Sequence, residues 1–185
     1  PKHPVAICEY YRATDFPLYR KLIPDIDLFG FNAYTGQWGF GRLWKNAKEE
    51  FDRPVFLTEY GIFSYNSKKG VDEEMQLKYH QGSWRNMVAN RSGAKGAGNC
   101  IGGTLFEWHD EWWKANEHVE DTWRIQEKTG QFANASYYYD YDVPGRLNMN
   151  EEWYGIVGLV PKAGKDQIDD RKPKKSYQVL QELWK

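Results

Sequence analysis

The sequence predicts an α/β chain of four strand–helix units with parallel pairing, amounting to half of a (β/α)8 TIM barrel. Three observations lead there. Short apolar runs alternate with helical patterns, and the runs lack the apolar–polar alternation of a strand with one wet face, as in a sheet covered on both sides. In the last three runs the polar residues gather at the C-terminal end, the face on which a barrel builds its active site. A doubly wound sheet would carry a glycine-rich phosphate turn after its first strand, and Cys8-Glu9-Tyr10-Tyr11-Arg12 is nothing of the kind. A whole barrel takes ~250 residues. Four units in 185 residues are therefore about half of one.

The first strand is Pro4 to Cys8, followed by a short amphipathic helix, Phe16 to Ile23, that Pro24 stops. Ile26 to Tyr34 is the second strand, with Asn32 and Tyr34 at its C-terminal end. The next helix, Arg42 to Phe51, repeats Leu43, Ala47 and Phe51 at spacings of four. Arg53 to Gly61 opens with a proline and runs apolar until Glu59. Such a carboxylate is either held in a polar network or placed to act on something. Asp72 caps a long helix whose Leu77, Trp84, Met87 and Val88 share a face. The turn Gly93 to Gly98 leads into the fourth strand, Cys100 to Trp108.

Composition narrows the function. With 25 basic and 26 acidic residues the net charge is -1, which gives no general attraction to nucleic acid or anionic membrane. No apolar run approaches the ~20 residues of a membrane span. Cys8 and Cys100 lie in apolar runs and read as small core residues, although the two could also pair. Aromatic residues make up 17% of the chain and cluster beside acids in Trp108–Trp113 and Tyr137–Asp142, a combination suited to stacking on and hydrogen-bonding carbohydrate.

Three segments, Ile26 to Gly36 (IDLFGFNAYTG), Pro54 to Gly61 (PVFLTEYG) and Gly102 to Trp108 (GGTLFEW), resemble the sixth, seventh and eighth strands of the retaining glycoside hydrolases of clan A. Asp110-Glu111-Trp112-Trp113-Lys114 is similar to the acidic and aromatic segment of the family 17 glucanases, and the family 72 glucanosyltransferases are the other near likeness. Glu151 to Val157 with Lys175-Ser176-Tyr177 looks like the closing stretch before the last helix. The resemblance makes residues 1–185 the C-terminal half of the barrel, strands five to eight, with an insertion at about 115–150.

Carried over, the resemblance makes Glu59 the nucleophile of a retaining β-glycoside hydrolase or transglycosylase acting on a β-glucan-like polysaccharide. That chemistry needs two carboxyl groups ~5.5 Å apart, one attacking the anomeric carbon and one protonating the leaving oxygen. The nucleophile must be ionised, and Tyr34 is expected to donate its phenol to it. Asn32, Trp108, Asp110 and Glu111 are the expected substrate contacts, with Trp108 as a floor under the sugar. The clan's acid/base follows an Asn after the fourth strand, so it is expected on a missing N-terminal half. Glu9 is the weaker candidate, with Cys8 where the Asn would stand. Strand alternation sends Glu107 and Trp108 to opposite faces, which puts Glu107 in a buried polar network. No metal or cofactor is expected, a His109–Asp110–Glu111–His118 site being disfavoured because adjacent acids rarely converge. Asn90-Arg91-Ser92 and Asn134-Ala135-Ser136 match the glycosylation pattern.

The reading from a different class is a non-catalytic carbohydrate-binding or assembly module. On either reading the partners are an oligo- or polysaccharide and either the N-terminal half of the barrel or a second copy, because a half barrel leaves edges and inward side chains uncovered. The compartment is not fixed by the sequence; a polysaccharide substrate implies the cell exterior or envelope.

Overall fold

A computed structural model describes residues 3–35, 38–66, 70–114, 125, 126, 128, 151–162 and 168–185. The chain forms two compact units, Pro1–Tyr60 with Gly82–Leu105 and Gly61–Gln81 with Phe106–Lys185. The insertion expected at about 115–150, with His118, Asn134 and the tyrosines 137–141, lies outside the described residues apart from 125, 126 and 128.

The first unit is built on a parallel sheet. Strands β1 (Ala6–Tyr10), β2 (Leu28–Asn32), β3 (Val55–Tyr60) and β6 (Cys100–Leu105) lie in the order β1-β2-β3-β6. Helices α1 (Phe16–Leu22) and α2 (Leu43–Glu50) make the crossovers, as the alternation of patterns required. Phe29 and Phe31 of β2 stack at 5.4 Å, and Phe16 of α1 meets both edge-on at 5.8 Å. Each such pair adds about 0.5–1.5 kcal/mol to its area burial. Val55 and Leu57 are fully buried on β3, and Leu43, Trp44 and Ala47 on α2. The Trp44 indole donates to Asn86 Oδ1 at 2.6 Å, and Asn99 Nδ2 donates to the Trp44 carbonyl at 3.0 Å, while Asn99 Oδ1 is buried without a donor among the described residues. The Gly93–Gly98 turn follows prediction: Gly93 and Gly98 sit at φ +77° and +76°, where a Cβ would be strained.

Two expectations for the first strand fail. Among the described residues β1 is paired on one side only, and its residues alternate between exposed and half-buried. Cys8 is therefore exposed rather than a core residue; it and the buried Cys100 are both free thiols. An apolar run alone does not reveal whether a further strand covers it.

The second unit holds the short hairpin β4 (Tyr65–Asn66) and β5 (Gly70–Val71), the antiparallel pair β7 (Val157–Val160) and β8 (Asp170–Pro173), and helix α4 (Lys175–Leu183). Helix α3 (Glu73–Asn90) runs from this unit into the first. Its N-terminus is capped as predicted, the Met75 amide donating to Asp72 Oδ1 at 2.9 Å. Ile62, Phe63, Tyr79, Tyr154, Ile156 and Leu180 form an apolar core. Through that core runs a buried amide: Gln76 Nε2 donates toward the carbonyls of Ile62, Tyr154 and Gly155 at 3.1, 3.2 and 3.1 Å, while its Oε1 accepts from Ser176 at 2.7 Å. The predicted closing stretch appears as a 3-10 turn, Glu151–Trp153, followed by β7.

Candidate active site

The β3 strand positions Glu59 through an irregularity. Strict alternation from Val55 and Leu57 would aim Glu59 at the helix layer, where those two residues are buried. Phe31 pairs with Leu57, but its neighbour Asn32 pairs with Glu59, so β3 contains one extra residue opposite β2. Such a bulge re-aims the side chains beyond it. Consequently Tyr60, two residues after Thr58, packs at 6.1 Å on Phe40, whose ring meets Trp44 of α2. Thr58 and Glu59 both turn to the face of the sheet opposite the helices.

On that face the polar residues form two hydrogen-bonded groups. Tyr34 donates its phenol to Glu59 Oε2 at 2.5 Å, and both side chains are half-buried. Thr58 donates its hydroxyl to Asn32 Oδ1 at 2.6 Å, and the Cys8 thiol donates to Thr58 Oγ1 at 3.1 Å. With its carbonyl oxygen taken, Asn32 presents its N–H groups as the free end of the amide. Sequence reasoning named Asn32, Tyr34 and Glu59 and missed Thr58 and Cys8. The position of Thr58 directly before Glu59 was the available signal; for Cys8 there was none.

Glu9 does not join them. It pairs with Phe31, a residue of the helix layer, and its carboxylate accepts from the Tyr10 amide at 2.8 Å while acting electrostatically on Tyr19 of α1. A concavity of about 640 Å³ lined by His3, Val5, Leu22 and Ile26 opens at the other end of the strands, away from Glu59.

The remaining predicted contacts, Trp108, Asp110 and Glu111, belong to the second unit. Strand β6 ends at Leu105, so the alternation expected through Glu107 and Trp108 does not reach them; the Phe106–Glu107 peptide is cis. The segment pairs instead with β7: Ile156 and Val157 donate to the carbonyls of Glu107 and Trp108 at 3.1 and 3.0 Å, and Asp110 donates back to Val157 at 3.1 Å. Trp108 is 55% exposed and meets Tyr177 of α4 edge-on at 5.7 Å, leaving much of its indole free.

Asp110 corrects the sequence reading. It accepts from Lys174 Nζ at 2.6 Å and from Gln126 Nε2 at 3.1 Å, and at only 2% exposed it is buried out of a sugar's reach. Lys174 also donates to Ser64 Oγ at 2.9 Å. Burial pushes the Asp110 carboxyl up and the Lys174 ammonium down, and the contact between them opposes both shifts. Nothing in the sequence linked two residues 64 positions apart. Glu111 is half-buried, 3.6 Å from Lys114. Among the described residues no group of three or more His, Cys, Asp or Glu side chains could hold a metal ion.

No family model matches the sequence, and no curated protein matches it. Among solved structures the chain is similar to the β-D-glucuronidase of Dictyoglomus thermophilum, with a TM-score of 0.55 and 16% identity over 100% of this chain and 26% of that one. The β-glucuronidase of Ruminococcus gnavus gives a TM-score of 0.49 and 15% identity, over 98% and 26%. A family 5 mannosidase from Rhizomucor miehei gives 0.47 and 10%, over 99% and 43%. The chain thus spans about a quarter of the length of these glucuronidases. Of the three, only the first is near enough to bear on architecture. It shows a fold shared with part of that glucuronidase and gives no support to the narrower placement beside families 17 and 72.

Proposed function

We propose that this chain carries the nucleophile half of a retaining β-glycoside hydrolase or transglycosylase, with Glu59 attacking the anomeric carbon. The observation that carries this reading is the Tyr34–Glu59 hydrogen bond on the open face of a parallel sheet, at the C-terminal ends of its strands, where a bulge has turned the carboxylate away from the helices. A phenol donating to a carboxylate fixes which oxygen stays available and holds it in one rotamer. Attack by that oxygen breaks the glycosidic bond and forms a glycosyl ester, the leaving oxygen taking its proton from the acid/base carboxyl group; water or a second glycan then displaces the ester. Asn32, held by Thr58, donates to a sugar hydroxyl on the same face.

The acid/base carboxyl group comes, on this reading, from outside the four-stranded sheet, since Glu9 belongs to the helix layer. The one-sided pairing of β1 supports a partner sheet there, either the other half of a barrel or a second copy. A β-glucan-like polysaccharide is the proposed substrate, because flat sugar faces suit exposed indoles such as Trp108 and Trp38. Those indoles also favour a second reading, glycan binding without turnover.

A 2-fluoro glycoside or an epoxide glycoside, offered to the chain together with its partner half, traps the covalent intermediate. Peptide mapping is expected to find the label on Glu59. A label on another residue overturns the assignment; glycan binding with no label in the complete assembly supports the second reading.

A further inference from the structure

Three carboxyl groups and one ammonium crowd the segment that follows β6. Lys114 Nζ lies 3.6 Å from Glu111 Oε2 and 3.2 Å from Glu151 Oε2, and it stands over the rings of Phe106 and Trp113 at 5.7 and 5.4 Å. The side chains of Glu107 and Glu111 are within hydrogen-bonding reach of each other. Yet Glu107 Oε1 and Glu111 Oε2 are buried and neither accepts a hydrogen bond among the described residues, the Lys114 ammonium at 3.6 Å standing beyond hydrogen-bond distance of Glu111. Two ionised carboxylates arranged so would set acceptor against acceptor out of water, with no donor hydrogen to bridge them. The charge count agrees. Three carboxylates against one ammonium leave two uncompensated negative charges, and one bound proton removes one of them.

We propose that Glu107 is a protonated carboxylic acid donating a hydrogen bond to the Glu111 carboxylate, and that this shared proton clamps the 106–114 segment that presents Trp108. A proton satisfies both orphaned oxygens at once, Glu107 becoming the donor and Glu111 the acceptor. It also leaves Lys114 matched to the two groups that stay ionised, Glu111 and Glu151. The other charges facing Glu107 are Asp110 and Lys174, which are committed to each other at 2.6 Å. Burial and then the charge of Glu111 push the Glu107 carboxyl up to about 9, against the pull of Lys114. Lys114 is raised as well; burial disfavours its charge, but Glu151, Glu111 and Glu107 outweigh that. Glu107 acts here as a positioning residue, through the segment it holds.

The sign of the pH dependence follows. Opening the segment returns Glu107 to its ordinary acidity near 4.5, so the closed form holds a proton that the open form releases between there and about 9. The clamp is therefore at full strength below about 4.5, weakens as the pH rises, and is lost above about 9.

Carbon-13 NMR of the whole chain labelled at glutamate Cδ tests this, with the Glu107 signal assigned by its disappearance in Glu107→Gln. A midpoint well above neutrality is expected, and one in the ordinary carboxylate range overturns the proposal. Amide exchange at Ile156 and Val157, which bond the Glu107 and Trp108 carbonyls, is the second measurement. Corrected for intrinsic exchange, their opening constant is expected to rise about tenfold per pH unit between about pH 5.5 and 8.5. In Glu107→Gln, whose amide still donates to Glu111, that rise should vanish. Equal slopes in the two proteins overturn the clamp, and if the variant does not fold the wild-type midpoint decides alone.

Discussion

A carboxylate at the end of a strand is common, and what separates Glu59 from an ordinary one is the company that the bulge gives it. The 2.5 Å bond from Tyr34 costs both groups rotamer freedom and holds the carboxylate in one position. Removing a hydrogen bond to a charged group costs about 1.5–3 kcal/mol. Tyr34→Phe is accordingly expected to lower kcat of the complete enzyme about tenfold to hundredfold, with a smaller effect on KM, in steady-state assays on an aryl glycoside. Loss of activity in Glu59→Gln should be far larger. Both residues were legible because each stands where an apolar run meets polar residues. Asp110 was misread for the complementary reason: an acid in a surface-looking segment gave no sign of the buried lysine waiting 64 positions later.

The strands themselves were readable, since apolar runs bounded by Pro and Gly leave few alternatives. Their edges and irregularities were not. β8 reads Asp-Arg-Lys-Pro with every residue exposed, a composition no strand pattern would select; it forms because backbone pairing with β7 satisfies it. The bulge likewise leaves no trace in composition, because both possible registers place apolar residues in the core as far as Leu57. A close approach in β2 shows how tightly the register is held. A Cβ on Gly30 would lie 2.7 Å from Thr58 Cγ2 and 2.8 Å from the Ile7 carbonyl oxygen, the second of which is backbone and cannot swing away. Gly30→Ala is expected to destabilise the protein by about 1–3 kcal/mol in chemical unfolding, by forcing β1 and β3 away from β2. An unchanged denaturation midpoint would mean that the sheet is looser than it is drawn here.

At the scale of the molecule, the two units solve different problems. The first packs aromatic rings behind a sheet, while the second threads charged and amide groups, Gln76, Asp110 and Lys174, through its core. Buried ionisable groups make such a structure sensitive to pH. His80 is fully buried, and burial followed by the nearby Lys174 charge lowers its pKa to about 3. Its neutral form is the folded one, so its contribution to stability is complete above about 6.5 and disappears as the pH falls toward about 3. Urea midpoints measured down that range should fall, and His80→Gln should flatten the decline. Glu107 pulls the other way from about 4.5 upward, so between about 4.5 and 6.5 the two slopes offset each other, and the combined contribution of the two groups is greatest in mildly acidic solution. The exposure of Cys8 has a practical outcome as well. With Cys100 buried, Cys8 is the reachable thiol, hydrogen-bonded to Thr58 on the face that carries Glu59. A fluorophore or spin probe attached there would sit at the proposed sugar cleft and report its filling directly, without any turnover being needed.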